Sequence, residues 1–86
     1  MPDGSIPYRS KIHLSAGKHI REARALAGLS VNGLAVAATV PVVAILRLEA
    51  ADHFEPETFM LLALIAAALK AAGVQVTYPE NAAGTA

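Results

Sequence analysis

Eighty-six residues make one small domain, of a size that buries only about 60–65% of its unfolded surface and so gains from a partner or a second copy of itself. Without cysteine there is neither a disulfide framework nor a thiolate metal site. The formal charge is zero but unevenly placed: five basic residues face two acidic ones up to Ser30, and one basic residue faces four acidic ones from Val31 to Met60.

Residues 1–13 carry two prolines and a glycine and then alternate as Lys11-Ile12-His13-Leu14, which reads as a flexible arm ending in a short strand, ahead of a domain over 14–78. The opening Met1-Pro2-Asp3-Gly4-Ser5 has no basic stretch followed by an apolar one, so the expected location is the cytoplasm. Ser15 is a good N-cap, predicting a first helix over Ala16 to Ala27. Ile20, Ala23 and Ala27 share its apolar face, with Leu26 beside them, and Gly28 stops it. Ser30 caps a second helix, Val31 to Ala38, whose inward stripe is Leu34, Ala35 and Ala38. Pro41 suits the first turn of a third helix, where its missing N–H costs nothing; Ile45 and Leu48 face inward and the helix runs to about Ala50.

Ala51 to Glu55 is a connector, and Pro56 and Glu57 open the last helix, which continues to Ala72 and stops at Gly73. Phe59, Leu62, Ile65, Ala66 and Leu69 form one apolar stripe; Met60, Leu61, Leu64 and Ala68 form another. A helix apolar nearly all round is buried on two sides. Met60, Leu61, Leu64 and Ala68 are therefore candidates for a homodimer interface, unless the helix is wholly buried within one chain. Val74, Val76 and Tyr78 alternate with polar residues and predict one short strand, paired either with Ile12–Leu14 or across the dimer. Residues 79–86 read as a disordered tail. The uncharged stretch between Arg24 and Arg47 is broken by Gly28, Gly33 and Pro41, and Phe59–Leu69 is shorter than the roughly 20 residues a bilayer needs. No membrane span is expected; the fold class is all-α, four helices with a short C-terminal strand.

Several segments together carry a family resemblance. Ile20-Arg21-Glu22-Ala23-Arg24 through Gly28-Leu29-Ser30, then Leu34-Ala35, Val40, and Ile45 with Arg47-Leu48-Glu49, stand in the order and spacing of XRE-type helix-turn-helix domains. The tail Ala68-Leu69-Lys70-Ala71-Ala72-Gly73-Val74 is similar to the ending of many short members. The chain thus resembles the lambda-repressor (Cro/CI-like) family over residues 14 to 78. The resemblance implies a helix-turn-helix bundle, operator DNA as partner, binding as a dimer to sites that are often palindromic, and a salt bridge between Arg24 and Glu49. Leaving either charge unpaired would cost a few kcal/mol.

The departures from the family lie on the surface that would meet DNA. Val31 replaces the usual glutamine at the start of the second helix, Thr39 the turn glycine, and Pro41 the serine before the third helix. Val42, Val43, Ala44 and Leu46 occupy the positions that project into the major groove, where base edges are read with hydrogen-bonding side chains. Arg47, Lys18 and Arg21, with Arg9 and Lys11 of the arm, are the candidates for phosphate contact. Two readings follow. In one, the protein is a transcription regulator that binds double-stranded operator DNA, with its basic residues on the backbone. In the other, the face formed by Val31, Pro41, Val42, Val43, Leu46 and Arg47 docks on another transcription regulator and does not bind DNA.

Nothing in the sequence points to catalysis. His13, His19 and His53 have neither i, i+4 partners nor a spaced carboxylate cluster, so no metal site is expected. Ser10, Ser15 and Ser30 read as a loop residue and two caps, and there is no phosphate loop or dinucleotide fingerprint. No enzyme activity, cofactor or small-molecule ligand is expected.

Overall fold

A computed structural model of the chain describes residues 11–79, and all that follows concerns them; most of the expected arm and the expected tail lie outside the described residues. In chain order they form β1 (Ile12–His13), α1 (Gly17–Ala27), α2 (Val31–Ala38), α3 (Val42–Glu49), a 3-10 turn (Pro56–Thr58), α4 (Phe59–Ala71) and β2 (Val76–Thr77). Local chemistry explains most of the boundaries. Gly28 ends α1 in the left-handed region at φ 73°, where the N–H groups of Gly28 and Leu29 return to the Ala25 and Arg24 carbonyls. The Ser30 hydroxyl accepts the Gly33 N–H at 2.9 Å, capping α2. Pro41 stands just before α3, as its N-cap rather than inside the first turn, and its carbonyl accepts from Ala44 and Ile45. At the far end α3 stops at Glu49 with Ala50 as C-cap. The last helix opens as the 3-10 turn at Pro56 and becomes α-helical only from Phe59.

The start of α1 departs from expectation. Its N-cap is Ala16, not Ser15, and Ala16 has no polar side chain to offer. His19 takes that role from inside the helix, its Nδ1 accepting the Ser15 and Ala16 N–H groups at 3.2 and 3.1 Å.

The C-terminal strand is one of two. β1 and β2 pair in parallel within the chain, Ile12 opposite Val76 and His13 opposite Thr77. Ile12 N–H donates to Gln75 and Leu14 N–H to Thr77, while His13 Nδ1 lies 2.8 Å from Thr77 Oγ1. The fold is mostly helical with four α-helices as expected, and of the two pairings open to the C-terminal strand it takes the one within the chain, which adds a small parallel sheet to the all-α class. Ile12 and His13, read as part of the arm, are built into that sheet.

One core unites the elements. Leu14, Ile20, Leu34, Ile45, Leu62, Ile65, Leu69 and Val76 are fully buried, each stabilising by about 1.5–3 kcal/mol relative to exposure. α4 packs mainly on α2, and α1 mainly on α3. Two side chains lie on the opposite side from the one expected. Leu26 is exposed rather than beside the core, and Ala68 is buried within the chain rather than free for a dimer interface. No described helix is long and apolar enough to cross a membrane by itself; α2 and α3 would be so only end to end, and they turn by 116°.

Candidate functional site

The 116° turn between α2 and α3 is made in the three residues Thr39, Val40 and Pro41. Thr39 takes φ 62°, the left-handed region that favours glycine, and its N–H returns to Val36. Val40 is buried and anchors the turn in the core. The turn sends α3 away from α2 with Ile45 and Leu48 inward and the opposite face open. On that face Val42, Val43 and Leu46 are 38%, 56% and 51% exposed, with Pro41 and Arg47 exposed beside them. Val31, grouped with this face from the sequence, is instead partly buried against the core.

The C-terminal end of α3 is held from behind by α1. Arg24 grips Glu49 with two hydrogen bonds, Nε to Oε2 at 2.6 Å and Nη2 to Oε1 at 3.1 Å. The Glu49 side chain is only 7% exposed and that of Arg24 20%. Such a bidentate, charge-assisted pair fixes angle as well as distance. Arg24 Nη1 also donates to the Leu29 carbonyl at 3.2 Å, joining the α1–α2 corner to the same knot.

Two further contacts complete the seam. Gly17 N–H donates to the Ala51 carbonyl at 2.9 Å, and a Cβ at Gly17 would collide with the Leu48 and Glu49 carbonyls. Only a glycine lets the first turn of α1 come this close to the end of α3. Arg21 Nη1 donates to the Glu49 carbonyl at 2.8 Å, where the last turn of a helix carries partial negative charge.

The sequence-derived cations are therefore not equivalent. Arg21 is exposed but holds α3, so its guanidinium is partly committed. Lys18 and Arg21 line a cleft that Glu49 and Asp52 also line, so negative groups share that surface. Arg47 and Lys11 are exposed, and Arg9 lies outside the described residues. On α4 the outer stripe is narrower than expected: Met60, 78% exposed, and Leu64 project outward, while Leu61 is partly buried against the core.

Among the described residues no three His, Cys, Asp or Glu side chains gather as a metal set. His53 pairs with Glu55 at 2.9 Å in the exposed connector, not with Asp52 beside it. Sequence reasoning missed Gly17 and His19. A glycine inside a helical pattern was the available sign of close backbone approach. Comparison with protein-family models, with curated proteins and with solved structures found no match for this chain.

Proposed function

We propose that the chain is a transcription regulator of the lambda-repressor-like helix-turn-helix type, binding operator DNA as a dimer. The observation that carries this reading is the 116° turn made in three residues between α2 and α3, within the 90–120° that such motifs use. The outer face of α3 is left open along the helix, and the Arg24–Glu49 pair holds it from behind. The family-like segments of the sequence support the same reading. Base contact on this face would be apolar, through thymine methyl groups, so sequence preference would rest on few hydrogen bonds. Arg47, Lys18 and Lys11 would supply the phosphate contacts, and Met60 and Leu64 on α4 the apolar surface for a second copy.

The test is an amide-shift titration of labelled protein with duplex DNA from its own upstream region, at low and at physiological salt. Shifts are expected at Lys18 and over residues 41–47, with affinity falling steeply as salt rises. No shifts at low salt would overturn the reading.

A second reading is favoured by one specific observation, the apolar exposure of Val42, Val43 and Leu46. As a docking module the protein would bind another transcription regulator through this face. Val43→Asp or Leu46→Asp would then abolish that binding while leaving the helical content and unfolding midpoint unchanged. DNA would leave the spectrum unmoved.

A further inference from the structure

α1 begins without the side-chain cap that helix starts usually have. Three polar atoms converge instead on one ring nitrogen: the Ser15 N–H at 3.2 Å, the Ala16 N–H at 3.1 Å and the Ser15 hydroxyl at 3.3 Å, all on Nδ1 of His19. A capping box ordinarily uses Glu or Gln at this third helical position, reaching back to the N-cap N–H. Histidine performs the same task only while Nδ1 keeps its lone pair. A protonated ring has N–H at both nitrogens, cannot accept, and sets a cation at the positive end of the helix.

We propose that His19 is a proton-sensitive latch on the first turn of α1. The neutral ring closes the turn, and a protonated ring, which cannot accept, opens it. What opens with it is the seam to α3, because the next residue after the N-cap is Gly17, whose N–H binds Ala51 and whose missing Cβ admits α3. The latch therefore acts on the placement of α3 rather than on a distant loop.

The charged and titratable groups around this end of α1 are Lys18, Arg21 and Glu22 on the helix itself, Glu49 and Asp52 from the α3 end and connector, and His13 from β1. Of these, Glu49 is taken up by Arg24, and Lys18, Arg21 and Asp52 line one cleft at this end of α1. The Ser15 N–H also donates to the His13 carbonyl at 2.9 Å, so the loss of the Ala16 N–H bond decides the effect of protonation.

The experiment uses the full chain carrying His13→Gln and His53→Gln, so that His19 is the sole histidine, and compares it with the same chain carrying His19→Gln as well. Glutamine keeps an acceptor that does not titrate. Urea unfolding is followed at pH 7.5 and pH 5.0. The folding constant of the chain that retains His19 is expected to fall about fivefold more on acidification than that of the His19→Gln chain, the fold-change of one capping interaction. An equal response of both chains would overturn the proposal. Should a variant fail to fold, the wild-type amide resonances around the N-cap decide: that of Ala16 is expected to shift between pH 7.5 and pH 5.0. An Ala16 resonance that stays fixed from pH 7.5 to 5.0 would overturn it equally.

Discussion

The Arg24–Glu49 pair offers the sharpest test of how α3 is held. In Arg24→Met the Glu49 carboxylate, 7% exposed, keeps its burial and loses both hydrogen bonds. Breaking a buried pair in this way typically costs about 3–5 kcal/mol. The Leu29 carbonyl, bonded to Nη1 in the parent, adds about 1 kcal/mol. Glu49→Gln should cost less, about 2 kcal/mol, because Arg24 is 20% exposed and can turn its charge toward water. The double variant Arg24→Met/Glu49→Leu should recover most of the loss, since no charge is left buried. Urea unfolding followed by helical circular dichroism measures all four corners of this cycle. An Arg24→Met loss below about 1 kcal/mol would mean a solvated surface pair and refute the reasoning.

Thr39→Gly should stabilise the fold by about 0.5–1 kcal/mol: it relieves the left-handed conformation, costing about 1–2 kcal/mol for a residue with a Cβ, and gives part of that back in unfolded-chain entropy. A lowered urea midpoint would show that the threonine side chain holds the turn. Gly17→Ala should destabilise by about 1–3 kcal/mol or more, because its Cβ meets backbone carbonyls that cannot rotate away; a thermal midpoint within a degree of the parent would contradict the close approach. Met60→Lys combined with Leu64→Lys should convert a dimer into a monomer in sedimentation without loss of helix, both side chains being exposed in the single chain. If the parent sediments as a monomer at high concentration, α4 is not a dimer surface.

The seam and the α3 face differ in how much of them could be read before folding. The Arg24–Glu49 pair was legible only through the family-like spacing, since nothing within a helical turn of either residue announces the other. The polar poverty of α3 was legible directly, because Val42, Val43 and Leu46 lie on one helix and their shared face follows from helical periodicity. Lys18 and Arg21 were legible as cations but not as neighbours of the α3 carbonyl end and Asp52, which is a matter of packing.

Local decisions were written in the residues themselves: the left-handed stop at Gly28, the Ser30 cap, the break at Pro41 and the inward stripes of α2 and α4. Each depends on backbone conformation and hydrogen bonds within about one turn, so the residues involved are neighbours in the chain. Packing alone settled that Ile12–His13 would pair in parallel with Val76–Thr77, that Gly17 would admit the end of α3, and that Ala68 would be buried while Leu26 was exposed. These outcomes join residues from about 30 to more than 60 positions apart in the sequence, or depend on which of two apolar sides a neighbour covers. Periodicity shows that a helix has an apolar side; the neighbouring helices decide how much of it is covered.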